Sequence, residues 1–261
     1  MNILEKIIES KKEEVATNKQ FISSDQLMQH PFFARTTFSL KQFLRDENKT
    51  GIIAEFKRQS PSKGIINNKA DVVEVTKAYS DNGAAGLSVL TDTKFFGGHA
   101  DDLIKARVNH IPILRKDFII DTYQLIEVKA MGADVILLIA ACLSPESVQE
   151  LAFFAKSLGL EVLLEIHVED ELVHICDEVD IIGINNRNLK TFEVDINRSI
   201  ELSRKIPADK TKMAESGIDN VETIKIFKEA GFSGFLMGEK FMKAENPGEA
   251  FEQFVQQLKK G

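Results

Sequence analysis

Acidic, basic and amide side chains stand at the ends of several short apolar runs in this sequence, a placement that suits acid–base chemistry. The members of this set are Glu55 and Lys57, Lys116, Glu165, Asn185 and Arg187, Glu215, and Glu239. A charged side chain at the end of an apolar strand is costly to desolvate unless it is paired or functional. A structural ion pair explains any one of them, but the whole ring predicts acid–base catalysis on an anionic substrate.

The spacing and types within the ring suggest how protons could move. Glu55 and Lys57 are two residues apart, as are Asn185 and Arg187, so each pair points to one side of its strand. A partly desolvated lysine near other cations is expected to have its pKa lowered towards neutrality, which suits a general acid. A glutamate beside lysines can stay ionised, as a base or as an orienting group.

Two glycine turns add a second signal. Ser216-Gly217 and Gly238 follow two of the apolar runs, and a stretch that predicts a helix comes after each. Glycine lets backbone amides approach a ligand closely, and a helix N-terminus favours an anion. This pattern is typical of the phosphate site of a parallel barrel, and two ordinary glycine turns are the alternative.

The elements that must position these residues repeat along the chain. A helix-like stretch ends at a glycine and an apolar run follows within a few residues, as at Gly83, Gly132, Gly159 and Gly231. A glycine ends a helix at low cost, and a continuous apolar run predicts a strand buried on both faces. Eight strands are predicted, and they begin at Gly51, Leu87, Pro112, Asp134, Leu160, Asp180, Thr211 and Gly234.

Eight strands spaced by roughly 20 to 35 residues, the length of one strand–helix unit, predict an α/β protein with a (β/α)8 TIM barrel. An open doubly wound sheet fits less well, since no G-x-G-x-x-G sequence follows the first strand. Helix starts are predicted at Ser144 before Pro145, at Asp121 with Gln124 as a capping box, and at Asp219.

The first 50 residues do not follow this repeat. They predict a helical N-terminal extension, residues 1–50, that packs on a barrel of residues 51–261 to give one structural domain. Leu4, Ile7, Ile8 and Val15 form an apolar stripe at helical spacing, and Ser39 can cap a second short helix. The extension is expected to plug one end of the barrel, or else to cover the catalytic mouth and line the substrate pocket.

Composition restricts the class of protein. The chain has 261 residues, 43% of them hydrophobic, which excludes intrinsic disorder, and its net charge of −7 argues against a nucleic-acid partner. Residues 135–143 are the longest apolar run, too short to span a membrane, and no signal peptide is evident at the N-terminus. Cys142 and Cys176 lie in apolar stretches and are expected to be buried thiols of a cytoplasmic enzyme.

Seven strings in this order carry a family resemblance: AEFKRQSPSKG, VLTDTKFFGG, ILRKDFIID, LLEIH, GINNRNL, AESGI and FLMGE. Together they resemble indole-3-glycerol phosphate synthase, over the whole chain and including the helical extension. The resemblance implies a TIM barrel of the phosphate-binding type that needs no metal or organic cofactor. It also implies the substrate 1-(2-carboxyphenylamino)-1-deoxyribulose 5-phosphate, which a carboxy-lyase reaction converts to indole-3-glycerol phosphate, carbon dioxide and water in tryptophan biosynthesis.

Catalytic roles follow from the resemblance, residue by residue. Lys116, in the KDF string, matches the general acid that protonates the ribulose carbonyl, and Glu165 matches the carboxylate of the dehydration half. Glu55 matches a carboxylate that orients the ring nitrogen and the lysines. Lys57 matches a lysine that serves the phosphate end, and a part for it in proton transfer stays open.

Binding roles follow in the same way. Ser60, Asn185 and Arg187 match residues that hold the substrate carboxylate and sugar hydroxyls, and the phosphate cradle matches Ser216, Gly217, Gly238 and Glu239. Glu239 departs from the serine found there in some relatives, so its backbone N–H is expected to serve while its side chain turns away from the phosphate. Lys63 is expected to lie in a mobile loop.

Three alternatives remain at this point. A sibling phosphate barrel such as phosphoribosylanthranilate isomerase would need an acid–base pair but not the SPSKG or GINNRNL strings. A class I aldolase would use Lys116 as a Schiff-base nucleophile, and a non-enzymatic binder would only hold a phosphorylated ligand. The expected partner is a small anionic phosphorylated substrate, without nucleic acid or membrane. A monomer or weak homo-oligomer is expected, and contact with other tryptophan-pathway enzymes is left open.

Overall fold

A closed barrel of eight parallel strands forms the centre of the protein in a computed structural model that describes residues 3–187 and 193–260. In chain order, the strands are β1 Ile52–Phe56, β2 Gln59–Ser60, β3 Gly64–Ile65, β4 Gly86–Leu90, β5 Ile113–Lys116, β6 Val135–Ile139, β7 Glu161–Ile166, β8 Ile181–Asn185, β9 Thr211–Glu215 and β10 Gly234–Met237. The barrel consists of β1 and β4 to β10. All eight predicted strands are present, and β2 and β3 form a separate antiparallel hairpin.

Neighbours in the barrel follow chain order from β4 to β10, and β10 then pairs with β1 to close the ring. The helices are α1 Ile3–Phe21, α2 Ser24–Met28, α3 Leu40–Arg45, α4 Val72–Asp81, α5 Thr93–Phe96, α6 Ala100–Ala106, α7 Thr122–Met131, α8 Pro145–Ser157, α9 Ile196–Ser203, α10 Val221–Glu229, α11 Glu239–Met242 and α12 Pro247–Lys260. Two 3-10 helices span Ala140–Cys142 and Glu169–His174. The prediction of a (β/α)8 barrel is therefore confirmed.

Two sets of buried apolar side chains hold the strands. Successive residues of a strand alternate between them, so Ile52 packs outward against the helices while Ile53 points into the barrel with Leu163 and Met213. This two-sided burial explains why the strands read as continuous apolar runs rather than as alternating ones.

The N-terminal extension contacts both ends of the barrel. Leu40 and Leu44 of α3 join the inward-facing set at the end where the strands begin, and the Leu40 side chain would lie 2.9 Å from a Cβ placed on Gly86. Helix α1 lies at the opposite end, where Ile3 and Ile7 line a pocket. The sequence offered a plug and a cover as alternatives, and the structure contains one helix for each.

A buried ionic cluster fastens α1 to the barrel. The Lys11 ammonium is 1% exposed and lies 2.9 Å from Asp117, 3.1 Å from Asp92 and 2.9 Å from Glu14. Asp92 and Asp117 follow β4 and β5, so two carboxylates from neighbouring strand ends share one cation. Burial alone would lower the pKa of Lys11, but the pull of Asp117, Asp92 and Glu14 raises it.

Most of the predicted caps are present. Ser39 and Ser144 each accept a hydrogen bond from the first helical turn, and Asp121 with Gln124 forms the capping box. The prediction at Asp219 is wrong: Asn220 caps α10 and accepts from the Thr223 amide at 2.8 Å. The cap must directly precede the first helical residue, Val221, and Asn220 occupies that place.

The two cysteines and the membrane question complete the description of the fold. Cys142 and Cys176 are free thiols, half-buried rather than fully buried. Across residues 3–187 and 193–260, the helices lack the combination of length and apolar character that crossing a membrane requires.

Candidate active site

Every residue predicted for the site lines one pocket at the carboxyl ends of the barrel strands, which has a volume of about 630 Å³. The predicted residues that line it are Glu55, Lys57, Ser60, Lys116, Glu165, Asn185, Arg187, Ser216, Gly217, Gly238 and Glu239. Parallel strands place their carboxyl ends at one rim, which explains how residues from β1, β5 and β7 to β10 converge. Of the GINNRNL string, Asn188 and Leu189 lie outside the described residues.

Lys116 occupies the centre of this pocket between two carboxylates. Its Nζ lies 3.0 Å from Glu165 Oε2 and 3.3 Å from Glu215 Oε2. Burial lowers the pKa of Lys116, but attraction to Glu165, Glu215 and Glu55 outweighs burial and raises it. The expectation of a lowered lysine pKa is therefore wrong, because carboxylates rather than cations surround this ammonium group.

The pKa values of the two carboxylates beside Lys116 are shifted in opposite directions. Burial raises the pKa of Glu165, but Lys116 and His167 outweigh it, so this pKa lies well below its usual range. Burial and repulsion from Glu165 and Glu55 raise the pKa of Glu215 to about 7, against the pull of Lys116. Near neutral pH the cluster therefore combines an ionised base, a fixed cation and a carboxyl group that can hold a proton.

Glu55 and Lys57 form a second pair on the wall opposite. Their charged atoms are 2.7 Å apart, and Ser88 Oγ donates to Glu55 Oε2 at 3.2 Å. Gly238 faces this pair so closely that a Cβ on it would lie 2.7 Å from Glu55 Cβ. A glycine is therefore required at this position for the chain after β10 to pass beside β1.

The turn after β9, the first part of the predicted phosphate cradle, has an unusual backbone conformation. Ser216 and Gly217 both have left-handed backbone, with φ of 67° and 69°, which is uncommon for a serine. The Asn186 side chain donates to the Ser216 carbonyl at 2.7 Å and holds the turn in place. Such strained backbone at a pocket indicates a functional turn, because the surrounding structure must compensate its cost.

Glu239 does not turn away from this cradle as expected. Its carboxylate is 29% exposed and lies 2.5 Å from Lys243 Nζ and 4.0 Å from Arg187 Nη2. Burial raises the pKa of Glu239, but attraction to Lys243, and then to Lys57 and Lys63, outweighs burial, so the pKa is lowered overall. The side chain therefore stays at the pocket rim because cations surround it. Lys63 itself, in the turn between β2 and β3, does not line the pocket.

The remaining predicted binding residues lie on two sides of the pocket. Asn185 Nδ2 donates to Glu165 Oε1 at 3.2 Å, and Asn185 Oδ1 accepts from the Arg187 amide at 3.0 Å. Arg187 thus stands on the side of the cradle, beside Glu239. Ser60 lies in β2, on the hairpin that follows β1, with its hydroxyl 3.5 Å from that of Ser62.

An apolar wall faces the charged cluster, and its residues had no assigned role. Phe96 and Phe118 line the pocket with ring centres 6.0 Å apart, and Ile3, Leu4 and Ile7 of α1 line it as well. Phe96 lies in the FFGG part of one family string and Phe118 in KDF, so the signal was present in the sequence. An aromatic wall of this kind suits a flat aromatic substrate.

Two polar residues of the site were also left without a role. Glu215 ends the seventh predicted strand and was visible in the AESGI string. His167 ends the LLEIH string, is buried, and has Nε2 3.2 Å from Glu165 Oε1. Within the described part of the chain, no group of three or more His, Cys, Asp and Glu side chains is arranged to hold a metal ion.

Known proteins resemble this chain along nearly its full length. The family model described as indole-3-glycerol phosphate synthase matches residues 4–254. The indole-3-glycerol phosphate synthase of Bacteroides thetaiotaomicron is 49% identical, over 98% of this chain and 99% of the relative. The protein of the same name from Bordetella pertussis is 42% identical over 97% and 99%, respectively.

Solved structures of other barrels share the fold. The tryptophan synthase subunit alpha of Legionella pneumophila has a TM-score of 0.61 at 13% identity, over 85% of this chain and 97% of that one. The 3-hexulose-6-phosphate synthase of Salmonella typhimurium has a TM-score of 0.62 at 14% identity, over 80% and 98%. At such low identity the likeness shows a common barrel and no common activity.

Proposed function

The chain belongs to the indole-3-glycerol phosphate synthase family, and we propose that its pocket closes the indole ring of 1-(2-carboxyphenylamino)-1-deoxyribulose 5-phosphate. The products are indole-3-glycerol phosphate, carbon dioxide and water, so the enzyme is a carboxy-lyase of tryptophan biosynthesis. One observation carries the proposal: Lys116 stands between Glu165 and Glu215 in a pocket with an aromatic wall and an anion cradle.

The two ends of the pocket fit the two ends of this substrate. The carboxyphenyl ring is proposed to lie against Phe96 and Phe118, and the phosphate is proposed to bind the backbone amides after Ser216 and at Gly238. Lys57, paired with Glu55 at 2.7 Å, would reach the phosphate end. Ser60, Asn185 and Arg187 would hold the substrate carboxylate and the sugar hydroxyls between the two ends, and the planar Arg187 fork suits either.

Ring closure begins with a proton from Lys116. As the ring carbon that bears the carboxylate attacks the ribulose carbonyl carbon, a new carbon–carbon bond forms and the carbonyl oxygen takes up the proton. The raised pKa of Lys116 keeps this group loaded as an ammonium ion at neutral pH, and its charge stabilises the developing oxyanion. Loss of carbon dioxide then returns an electron pair to the ring and restores its aromaticity.

Dehydration completes the indole. The new hydroxyl group leaves as water once an acid protonates it, and the ring system gives up a proton to a base. Glu165, ionised and hydrogen-bonded to Asn185, suits the base. Glu215, whose pKa is raised to about 7, can hold the proton that the leaving hydroxyl requires. After product leaves, the proton held by Glu165 and one proton from solvent restore Lys116 and Glu215, which lie 3.3 Å apart, for the next turnover.

Incubation of the purified protein with the proposed substrate tests the activity, with indole fluorescence as the signal. The protein contains no tryptophan, so product appears against a low background. Lys116→Ala and Glu165→Gln should each lower kcat by about 10²- to 10⁴-fold with a small change in KM, because both groups act in transition states. Lys77→Ala, which removes an exposed lysine paired with Asp81, is the control. No product from the unaltered protein would refute the proposed function.

Four further proposals concern the protein as a whole. Residues 1–50 and 51–261 are proposed to act as one structural domain, since α1 contributes Ile3, Leu4 and Ile7 to the pocket. The enzyme is proposed to work in the cytoplasm without a cofactor, as a monomer or weak homo-oligomer. Light scattering after size-exclusion chromatography measures the oligomeric state, and activity after exhaustive dialysis against a chelator tests the requirement for a metal.

A further inference from the structure

The side chain of His167 lies directly behind the catalytic cluster, between two carboxylates. It is 8% exposed, with Nε2 3.2 Å from Glu165 Oε1 and Nδ1 3.5 Å from Glu171 Oε2. Residues 165 and 167 are two apart on one chain segment, so the strand repeat points both side chains the same way. Neither ring nitrogen has a partner at hydrogen-bond geometry, so electrostatic attraction to the two carboxylates is what holds the ring.

Glu171 is itself fixed from the other side. Its Oε2 accepts from the backbone amides of His167 at 2.5 Å and Val168 at 3.3 Å, at the start of the 3-10 helix Glu169–His174. The order Glu171, His167, Glu165, Lys116 therefore forms a row of alternating charges that ends at the proposed general acid. Because Glu171 is anchored to backbone, its charge gives the His167 ring a fixed point of attraction on the side away from Glu165.

The two oxygens of Glu165 have different neighbours. Oε2 faces Lys116 at 3.0 Å, while Oε1 faces Asn185 Nδ2 at 3.2 Å and His167 at 3.2 Å. The terminal torsion of a glutamate is soft, so contacts at both oxygens are needed to fix the plane of the carboxylate. Without His167, one neutral amide would be left to hold Oε1.

We propose that His167 is a positioning residue that, as a cation anchored by Glu171, fixes the orientation of the Glu165 carboxylate towards Lys116. The kinetic consequence rests on the proposed function, whereas the electrostatic one does not. Burial lowers the pKa of His167, but Glu165 and Glu171 raise it to about 9, so the ring is charged at neutral pH.

Charged and titratable groups near this row come from four segments. Glu165 lies on β7, Glu171 on the following 3-10 helix, and Lys116 on β5, beyond Glu165. Cys142, on the 3-10 helix Ala140–Cys142, is close enough that burial, Glu165 and Glu171 raise the pKa of its thiol to about 12. The thiol is therefore neutral at physiological pH, and His167 is the group that balances Glu165 on this side.

A double-substitution experiment distinguishes positioning from a general structural role. His167→Leu should lower kcat about tenfold with KM little changed. His167→Asn keeps a polar side chain but loses the charge, so its kcat should lie between those of His167→Leu and the unaltered protein. In a Glu165→Gln background the same substitutions should change kcat less than twofold. Equal losses in both backgrounds would overturn the proposal. His174→Asn is the matched control, since that ring contacts the carbonyls of Leu143 and Glu171 instead.

A second measurement does not need activity. With ¹³C-labelled glutamate, and with the Glu165 signal assigned by its loss in Glu165→Gln, NMR titration follows ionisation of this carboxyl. His167→Leu should raise the pKa of Glu165, and His174→Asn should leave it in place. An unchanged Glu165 titration in His167→Leu would refute the positioning role, whatever reaction the pocket catalyses. If the pKa rises but no synthase activity is found, the proposed function fails alone.

Discussion

Replacement of Glu215 by glutamine should make the protein more stable and the enzyme slower. Glu215 is 1% exposed, and its Oε1 is buried without a hydrogen-bond partner. Glutamine keeps the shape of the side chain and its ability to face Lys116 but cannot ionise. The substitution therefore removes a buried carboxyl whose ionised form is disfavoured by its surroundings.

The size of the stability gain follows from the titration of Glu215. Burial and the neighbouring carboxylates raise its pKa from 4.5 to about 7, which at ~1.4 kcal/mol per pKa unit disfavours the ionised form by about 3 kcal/mol. When folding raises the pKa of a carboxyl group, the free energy of unfolding is highest below the pKa of the unfolded state. It then decreases as the pH rises, until the pH has passed the folded pKa of about 7. Glutamine avoids this loss, so its benefit should grow by roughly 2 kcal/mol between pH 5 and pH 8.

Urea unfolding followed by circular dichroism at pH 5 and pH 8 measures this difference, since a protein without tryptophan gives no useful intrinsic fluorescence. Glu239→Gln is the control of opposite sign. Lys243 holds the pKa of Glu239 below its usual range, so removal of that carboxyl should destabilise the protein above its unfolded pKa, and the effect should fade as the pH falls. A Glu215→Gln gain equal at both pH values would refute the assigned titration, as would a loss at pH 8.

Three further predictions follow from the described contacts. Arg187→Ala should raise KM at least tenfold with a smaller change in kcat, because it removes a binding contact; an unchanged KM would contradict its role. Lys11→Met should cost about 3–5 kcal/mol of stability in urea unfolding, since it leaves buried Asp92 and Asp117 without their shared cation; Lys12→Met, on the exposed side of α1, should cost at most ~0.5 kcal/mol. Borohydride with a carbonyl substrate should leave Lys116 unlabelled, because its cationic state opposes Schiff-base formation; covalent labelling would indicate an aldolase.

The barrel and the members of its charged ring could be predicted from the sequence because both depend on local patterns. A strand buried on two faces is a continuous apolar run, and its carboxyl end can be located by the first polar residue after it. The eight strands and the convergence of Glu55, Lys116 and Glu165 at one rim follow from those two rules together. Neither rule gives a distance between side chains on different strands.

Two of the predictions that were wrong, those for Lys116 and Glu239, depended on distances between residues far apart in the sequence. A partly desolvated lysine near other cations was expected to have a lowered pKa, yet Arg115, the cation next to Lys116 in the sequence, points outward to Asp117 and Glu127. The inward neighbours of Lys116 are carboxylates from β7 and β9, 49 and 99 residues away. The side chain of Glu239 was likewise expected to turn away because only its repulsion from a phosphate was considered. The lysines near it in the folded protein were not.

The position of α1 depended on a charge pattern that the sequence does not reveal. Ile7 and Val15 define an apolar stripe, which suits either end of a barrel equally. Lys11, on the same helix, distinguishes the two ends. A lysine is usually exposed, but the Lys11 side chain is 1% exposed and lies between Asp92 and Asp117. Both acids follow strands at the carboxyl-end rim, so the ion pairs of the buried ammonium group place α1 at that rim.

The charges of the pocket explain how an acidic protein can hold a phosphorylated substrate without a strongly basic cleft. Lys57 is paired with Glu55, and Lys116 with Glu165 and Glu215, so these lysines do not provide a free positive field. Under the proposed function, the phosphate would therefore rely on backbone amides as well as on Lys57, and the turn at Ser216-Gly217, with its left-handed backbone, is the candidate for them. Since backbone amides cannot be neutralised by neighbouring carboxylates, such a turn would hold the phosphate while Lys116 stays available for the proposed proton transfer.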